Sequence, residues 1–434
     1  MHYIQQIVRQ QKRGVSAGIF SCCSANEFVL KAAMKRVKKY NSYLLIEATA
    51  NQVNQYGGYI GMKPSDFFKY VNDLARQEDF PQDRLILGGD HLGPLTWTSL
   101  AEKDAMKEAA ELIRQYVEAG FTKIHIDTSM RLADDDPSVR LDEELIASRG
   151  AFLCDVAEKA FLKRKAENPD AVAPIYIIGS EVPIPGGAQE AEESISVTPA
   201  EDCKKTIQTF YEKFKERNLL DAWDRVLGLV VQPGVEFGDS EIFDYDREKA
   251  RQLSAFIKNN NKFVFEGHST DYQTRESLKY MVEDGIAILK VGPALTFHLR
   301  EALYALEIIE KEIFNYKNTT LSDFRRILDS VMLENNAYWV KHYHGDEKAL
   351  RFSRAFSLSD RCRYYLSETK VKESIKQLIR NLNTVKIPET LISQYMPVQY
   401  KAIRKGELSN SPESLILDHI GECIDDYLYA TINT

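Results

Sequence analysis

The segment 262–292, KFVFEGHSTDYQTRESLKYMVEDGIAILKVG, contains the repeating unit that decides the fold. Two short apolar runs, Lys262–Phe265 and Ile286–Val291, flank a stretch with helical spacing, Asp271–Asp284, which Gly285 ends. Strands that alternate with helices are typical of a parallel sheet, because two parallel neighbours need a crossover of roughly a dozen residues. We therefore predict a strand–helix–strand unit for this segment.

The same unit recurs through the first 310 residues, in which we find eight candidate strands. Runs such as Leu227–Val231 are apolar throughout, as expected where helices cover both faces of a sheet. Eight units predict an α/β protein of the (β/α)8 barrel type. An open doubly wound sheet is the alternative, but no GxGxxG motif follows the first strand. The predicted strands are Val15–Phe20, Tyr43–Thr49, Arg84–Gly88, Lys123–Asp127, Ile175–Gly179, Val226–Val231, Lys262–Phe265 and Ile286–Val291.

The strand pattern stops after about residue 315. We predict two parts, a barrel over residues 1–315 and a C-terminal helical extension over residues 316–434. The extension either packs on the barrel or forms an interface with another chain. Its predicted helices are Asp323–Leu333, Glu368–Leu382, Pro388–Gln394 and Pro412–Tyr427.

Composition narrows the class of protein. The 434 residues are 44 % hydrophobic and 28 % charged, which is an ordinary globular balance. A net charge of -8 without long Lys/Arg runs argues against a nucleic-acid or membrane partner. No stretch approaches the length of a membrane span, and the N-terminus lacks the apolar core of a signal peptide. The six cysteines form no CxxC pair and are typical of reduced thiols, so we expect a cytoplasmic protein.

Polar residues stand at the end of nearly every predicted strand. The carboxyl ends of barrel strands build the site in this fold, and polar groups beside apolar runs are costly unless they are paired or serve a site. We therefore expect these side chains to gather at one rim of the barrel. They are Glu47, Asn51, Gln52, Asp90, His91, His125, Asp127, Glu181, Gln232, Glu266, His268, Ser269 and Lys290.

Within this set, Asp90 and His91 are the pair that indicates a specific chemistry most clearly. Gly88 and Gly89 precede them and allow a sharp turn close to a ligand. The pattern predicts His91 as a metal ligand and Asp90 as a general base for a metal-polarised carbonyl compound. The alternative is a pair that satisfies buried backbone at the end of a strand.

Further ligands are predicted on the later strands. Glu266 and His268 are two residues apart, so both face the same side of an extended strand. With Gln232 and Glu181 as additional oxygen donors, they predict a mixed site for a divalent metal, with Zn²⁺ first and Mn²⁺ or Co²⁺ as alternatives. Structural polar layers that close the barrel are the competing interpretation. His125 is interpreted as an imidazole of the barrel interior.

A phosphate site is predicted beside the last two strands. Gly267, Ser269 and Gly292 precede or flank a helix that begins near Ala294, and this corner is the usual phosphate site of the fold. Lys290 either faces that site or pairs with a carboxylate of the barrel.

The polar, Gly-rich loop at residues 51–61 carries further candidate ligands. Its residues Asn51 and Gln52 suit contact with a sugar if the loop is a flap, although a structural loop is equally compatible with the pattern. The chain contains no GxxxxGK[ST] motif, which argues against a P-loop kinase.

Ten sequence blocks spread over nearly the whole chain resemble the GatZ/KbaZ family. The members of this family are called non-catalytic subunits of class II D-tagatose-1,6-bisphosphate aldolase, and some are labelled tagatose-6-phosphate kinases. The resemblance implies a TIM barrel related to zinc-dependent class II aldolases, acting in galactitol or N-acetylgalactosamine breakdown. The blocks are FSCCSAN, IEATANQVNQYGGYIGM, LGGDHLGP, KIHIDTSM, GSEVPIPGG, VVQPGVEF, FEGHSTDYQTR, LKVGPALTFHLREA, SLSDRCRYY and ISQYMP.

The match to the class II aldolase pattern itself is partial. Asp90-His91 stands where those enzymes have a catalytic Asp followed by a zinc His. Their later zinc histidines precede a Gly, whereas this chain reads Gln232-Pro233-Gly234 and Glu266-Gly267-His268. The resemblance therefore implies either a lost metal site or one rebuilt with Gln and Glu oxygens.

Two functions follow from these alternatives. In the first, the chain binds a sugar or sugar phosphate as an accessory subunit of a catalytic class II aldolase, and it is expected to be a homo-oligomer. In the second, it is a metal-dependent ketose 4-epimerase that works by retro-aldol cleavage and re-addition, as reported for some family members. His91, Glu266, His268 and Gln232 would then hold the metal, and Asp90, Asp127 and Glu181 are the acid/base candidates.

Overall fold

The computed structural model describes residues 2–139, 141–179, 195–315 and 319–432. Eight parallel strands close into a barrel, which confirms the predicted (β/α)8 fold. Each strand pairs with the next one in the following order, and the last pairs with the first. The strands are β1 (Ile19–Cys22), β2 (Leu44–Thr49), β3 (Leu85–Leu92), β4 (Lys123–Ile126), β5 (Ile175–Ile178), β6 (Val226–Val231), β9 (Val264–Gly267) and β10 (Ile286–Val291).

Helices surround the barrel and form the C-terminal part. A two-stranded antiparallel ribbon, β7 (Glu236–Phe237) with β8 (Ile242–Phe243), follows β6. Short 3-10 turns cover Gln82–Arg84, Pro94–Trp97 and Arg361–Tyr364. The helices are α1 (Tyr3–Gln11), α2 (Glu27–Lys39), α3 (Pro64–Gln77), α4 (Glu102–Ala119), α5 (Glu143–Glu167), α6 (Ala200–Glu216), α7 (Leu220–Trp223), α8 (Arg251–Asn259), α9 (Arg275–Glu283), α10 (Pro293–Phe314), α11 (Phe324–Glu334), α12 (Glu347–Phe356), α13 (Thr369–Asn383), α14 (Glu389–Tyr395), α15 (Pro397–Arg404) and α16 (Pro412–Thr431).

Local signals in the sequence account for where several helices begin and end. Helix α4 buries one stripe that includes Leu112 and Tyr116, and it ends at Gly120, whose φ of 112° is accessible mainly to glycine. The stretch Thr198-Pro199-Ala200-Glu201 predicts a helix with Thr198 as its N-cap and Pro199 at its first position, but α6 begins at Ala200 and Pro199 is its N-cap. Thr198 instead accepts a hydrogen bond from Gln232 N at 2.9 Å, so it ties the chain to the end of β6 while Pro199 precedes the helix.

The amino-terminal end of the barrel is closed by apolar packing. Ile4 and Ile7 of α1 are fully buried and join a cluster with barrel residues such as Leu45 and Ile175. Burial of each such side chain contributes about 1.5–3 kcal/mol, so this plug stabilises the fold. Any site must therefore open at the opposite, carboxyl end of the strands.

The C-terminal helix α16 is part of the wall around the barrel. It packs against α2, α9, α10 and β1. Tyr427 on this helix donates a hydrogen bond to Thr270 O at 2.8 Å, and Gly18 N donates one to Thr431 O at 3.3 Å. The helical extension thus packs on the barrel, while the division into units at residue 315 stays a prediction. Within the described residues, no helix combines the length and apolar character that a membrane span requires.

Candidate metal centre

Three imidazoles and one carboxylate meet at the carboxyl end of the barrel. Asp90, His91, His125 and His268 each place one possible ligand atom within 4.8 Å of the others, and all four are buried. The His91 ring lies 5.1 Å from that of His125 and 4.8 Å from that of His268, measured between centroids. These residues come from β3, from β4 and from the loop after β9, so the barrel closure itself brings them together.

An irregularity in β3 turns two consecutive side chains towards this cluster. Neighbouring residues on a regular strand face opposite sides. His91 has a φ of 48°, in the left-handed region, and the register between β3 and β4 shifts between Gly89 and Leu92. Gly88 serves close packing here, because a Cβ atom would lie 2.8 Å from Glu47 Oε1. The bulge therefore lets both Asp90 and His91 contribute to one site.

Each of the three imidazoles places one ring nitrogen against a carboxylate oxygen. A carboxylate in this position orients a metal-binding histidine and fixes its tautomer. For His268 the second ring nitrogen then stays available for a ligand. His125 Nδ1 also accepts a hydrogen bond from His91 N at 3.1 Å, so the contact with Asp90 alone does not fix the tautomer of His125. Burial lowers the pKa of His91, but Asp90 and Asp127 outweigh this effect and raise it, so a metal at His91 would displace a proton. The pairs are His91 Nδ1 with Asp127 Oδ2 at 2.7 Å, His125 Nδ1 with Asp90 Oδ1 at 2.9 Å, and His268 Nε2 with Glu266 Oε1 at 3.0 Å.

The donor set fits a divalent transition metal. His125 Nε2 is buried and has no hydrogen-bond partner among the described residues, which is costly for an imidazole that binds nothing. Burial, which outweighs the hydrogen bond to Glu266, lowers the pKa of His268 to about 3, so this ring is neutral and able to ligate. Three histidines are a common zinc ligand set when a fourth position is open.

Asp90 is ionised, and its Oδ2 has fewer close contacts than its Oδ1. Burial alone would raise its pKa, but the charges of His91 and Lys290 outweigh this effect and hold the pKa well below its usual range. Asp90 Oδ1 lies 2.8 Å from Lys290 Nζ, whereas Oδ2 lies 3.8 Å from His91 Nε2. Oδ2 is therefore the oxygen that can ligate a metal or accept a proton.

Asp127 is fully engaged in holding His91. Its Oδ1 accepts hydrogen bonds from the backbone N and the hydroxyl of Ser129, at 3.1 and 2.7 Å, and its Oδ2 faces His91 Nδ1. Burial opposes ionisation, but the bond from His91 lowers the pKa of Asp127 to about 2. Because both of its oxygens are occupied, Asp127 positions His91 and has no oxygen free to accept a proton from a substrate.

Two buried lysines neutralise the carboxylates below the cluster. Lys123 Nζ lies 2.7 Å from both Glu47 Oε1 and Glu266 Oε2. Lys290 Nζ lies 2.7 Å from Glu47 Oε2 in addition to its contact with Asp90. These five charged groups are at most 5 % exposed, and buried charges are tolerated when they are paired in this way. Lys290 thus pairs with barrel carboxylates and also borders the site.

The other predicted site residues fall into two groups. Asn51, Gln52, Ser269, Lys290 and Gly292 line the cavity above the cluster. Gln232 uses its side-chain oxygen to accept the backbone N–H groups of Gly234 and Val235, at 2.8 and 3.0 Å, and Gly267 packs against Ile286 and Met281. Glu266 contacts the lysines and His268 rather than joining the four clustered groups. Glu181 lies outside the described residues.

Sequence reasoning missed several residues of this site. His125 was interpreted only as an interior imidazole, although its alternation with Ile124 and Ile126 points it into the barrel. Arg363 and Tyr364 also line the cavity, but they come from a 3-10 turn far along the chain and follow no strand. Strand-end rules therefore cannot find them.

Comparison with known proteins agrees with this architecture. The family described as D-tagatose-1,6-bisphosphate aldolase subunit GatZ/KbaZ-like matches residues 4–432. The crystal structure of a probable tagatose 6 phosphate kinase from Sinorhizobium meliloti 1021 is 42 % identical and superposes with a TM-score of 0.86, covering 96 % of this chain and 100 % of that chain.

Two more distant solved structures also match. The fructuronate-tagaturonate epimerase UxaE from Cohnella laeviribosi is 13 % identical with a TM-score of 0.48, over 95 % of this chain and 81 % of that chain. A fructose-bisphosphate aldolase from Campylobacter jejuni is 16 % identical with a TM-score of 0.42, over 89 % and 95 % of the two chains. On the family match over residues 4–432, together with the 42 % identical structure, this chain belongs to the GatZ/KbaZ-like family of D-tagatose-1,6-bisphosphate aldolase subunits.

Proposed function

We propose that this aldolase-related protein is itself a metal-dependent enzyme, which epimerises a ketose at C4 by breaking and re-forming the C3–C4 bond. The observation that carries the proposal is the buried cluster of Asp90, His91, His125 and His268, in which a carboxylate orients each imidazole. An accessory subunit without chemistry of its own has no need for such a costly arrangement of buried polar groups.

His91, His125 and His268 would hold the divalent ion, with Zn²⁺ as the best fit to three nitrogen donors. A bound ion of this kind draws electron density from the ketose carbonyl and so stabilises negative charge on its oxygen. Asp127 and Glu266 keep the His91 and His268 rings in place through their hydrogen bonds.

Asp90 is the proposed acid/base group. Its ionised Oδ2 accepts the proton of the C4 hydroxyl, the C3–C4 bond breaks, and the bonding electron pair forms an enediolate across C2 and C3 while C4 becomes an aldehyde carbon. Addition of the enediolate to the other face of the aldehyde re-forms the bond. The proton on Asp90 then returns to the C4 oxygen. The configuration at C4 is thereby inverted, and no atom is gained or lost.

The cavity above the cluster provides groups that suit a sugar. Asn51, Gln52 and Tyr59 present polar side chains along its wall. A few convergent polar groups of this kind orient a small polar ligand in a binding site.

The test is turnover by the purified chain alone. The protein, loaded with Zn²⁺, Mn²⁺ or Co²⁺, is incubated with D-tagatose, D-fructose and their 6-phosphates, and the C4 epimers are quantified by ¹³C NMR. We expect metal-dependent interconversion that falls about 100-fold or more in Asp90→Asn, since general acid/base catalysis contributes about 10²–10⁴-fold. Absence of interconversion with every metal and sugar would overturn the proposal.

A second candidate function rests on the description of the family as an aldolase subunit. In that case the chain binds a catalytic class II aldolase and raises its turnover or stability. Co-elution with such an aldolase and increased cleavage of the bisphosphate, by the Asp90→Asn variant as much as by the wild type, would favour this function over the epimerase.

A further inference from the structure

The cavity above the candidate metal centre contains the guanidinium of Arg363, which forms no direct ion pair with a described carboxylate, although Asp271 lines the same cavity. Within the described part of the chain, no carboxylate oxygen lies within 4.0 Å of the Arg363 side-chain nitrogens. Arg363 donates to the backbone carbonyls of Ser359 and Asp360 and, at 3.2 Å, to the hydroxyl of Tyr364. Lys290, which lines the same cavity, instead contacts three carboxylates.

The corner where barrels usually bind phosphate is already filled by a side chain. Asp271 Oδ1 accepts hydrogen bonds from Gly292 N at 3.0 Å and from Ala294 N at 2.8 Å, at the start of α10. These are the donors that a phosphate would need there. Asp271 is 3 % exposed, so an anion at this corner would have to displace a buried carboxylate or face its charge. The α10 N-terminus is therefore closed to an anionic ligand.

The turn that carries Arg363 is rigidly held. Asp360 accepts hydrogen bonds from Arg300 Nε at 2.9 Å and from Thr296 Oγ1 at 2.6 Å, both on α10. Arg300 and Asp360 are each 2 % exposed, which makes this a buried, charge-assisted contact. The guanidinium of Arg363, three residues after Asp360 and on the same 3-10 turn, is thus fixed over the cavity rather than free in solvent.

We propose that Arg363 is the residue by which this cavity selects an anionic ketose, because it binds the terminal anionic group of the sugar opposite the end that meets the metal centre. This inference rests on the proposed function only in taking a ketose as the ligand. A phosphate monoester and a carboxylate share the required chemistry, since both offer paired oxygens to a guanidinium.

Binding measurements test this proposal independently of whether the protein turns over a sugar. The metal-loaded wild type is titrated by calorimetry with D-fructose, with its 6-phosphate and with the analogue that carries a carboxylate at C6. The same titrations are made with Arg363→Gln, Arg363→Lys and the matched control Lys372→Gln. Lys372 is an exposed lysine that lines the neighbouring cavity, so its loss removes the same charge near the site.

We expect one of the anionic ligands to bind the wild type more tightly than the neutral ketose does. Arg363→Gln should weaken anion binding by roughly tenfold to a hundredfold, in keeping with charge-assisted hydrogen bonds, and leave binding of the neutral ketose unchanged. Arg363→Lys should restore part of the preference, and Lys372→Gln should retain it. The anionic ligand that binds more tightly identifies the group.

Three results would overturn the proposal. They are equal affinity of the wild type for neutral and anionic ketoses, an unchanged preference in Arg363→Gln, and an equal loss for both ligands in that variant. The first needs no variant, so it decides the matter even if Arg363→Gln does not fold. If the wild type shows the preference and the Arg363 dependence but never turns over a sugar, the proposed epimerase fails and the anion site stands.

Discussion

At the scale of single residues, the main support for metal binding is that a carboxylate oxygen lies beside one nitrogen of each imidazole. Asp127 is the clearest case, because both of its oxygens are used and one of them holds His91 Nδ1. A neutral residue in place of Asp127 would leave the His91 ring where it is but make its ring nitrogen a less basic ligand.

We expect Asp127→Asn to weaken metal binding by about 10–100-fold, the usual cost of losing such a partner. Competition against a chelating dye measures the dissociation constant. Asp155→Asn is a suitable control, since Asp155 forms an ion pair with Lys159, which is 72 % exposed, and no contact with the metal centre. Equal metal affinity in wild type and Asp127→Asn would show that this carboxylate does not support a ligand.

The ion pairs of the buried lysines lead to a second prediction at this scale. Replacement of Lys123 by Met removes the cation between Glu47 and Glu266 and leaves two buried carboxylates short of a partner. Breaking a buried ion pair from one side costs about 3–5 kcal/mol. Urea unfolding should show a loss of that size in the free energy of unfolding, whereas Lys159→Met should change it by less than about 1 kcal/mol. A loss no larger than that of the control would contradict the assigned role.

Sequence alone predicted part of this residue-level arrangement. Asp90, His91 and His268 could be placed together because each follows an apolar strand, and strand ends meet at one rim. The place of His125 in the cluster was missed, since it depends on the bulge at His91 and on the distances between rings. Register shifts of this kind are set by packing, which a periodicity argument does not contain.

At the scale of elements, the strand and helix periods predicted the barrel well, with errors of a few residues at the ends. The first strand was expected at Val15–Phe20 and lies at Ile19–Cys22. Helix α16 was also expected, but not its location against β1. That location follows from contacts across nearly the whole length of the chain, for which a single sequence carries no local signal.

A pH-dependent contact joins α16 to α10. His419 faces Glu422 at 3.1 Å and Glu301 at 3.3 Å. Burial lowers its pKa, but the two hydrogen bonds to carboxylates outweigh this and raise the pKa to about 9. A raised folded-state pKa means that the protonated ring stabilises the folded protein, fully so below the unfolded value of about 6.5.

We therefore expect the stabilising contribution of His419 to decline as the pH rises from about 6.5 through 9. The melting temperatures of wild type and His419→Gln should differ most near pH 6 and converge above pH 9. Differential scanning calorimetry at several pH values measures this difference. A constant gap across the range would mean that the ring does not titrate as described.

At the scale of the whole molecule, the C-terminal part completes the barrel in two ways. Helix α16 packs on β1 and on helices that include α2, α9 and α10, and the turn with Arg363 and Tyr364 reaches the cavity. The extension thus supplies both a wall and part of the proposed binding site.

Removal of residues 412–434 should expose the apolar faces that α16 covers, including Phe20 beside Tyr427. Burial of a single large apolar side chain contributes about 1.5–3 kcal/mol, and marginal domains have only about 5–15 kcal/mol in total. We expect the truncated chain to lose its cooperative thermal transition and to aggregate. A truncated protein with the wild-type melting temperature would show that the first 411 residues form an independent unit.

The most direct test of the account is the metal content of the purified protein. After incubation with Zn²⁺ and removal of excess ion, inductively coupled plasma mass spectrometry should find about one equivalent per chain in the wild type and in the exposed control His344→Ala. His125→Ala, which removes one of the three nitrogen donors, should retain far less. Absence of metal from the wild type, or equal retention in His125→Ala, would contradict the claim that these three imidazoles form a metal centre.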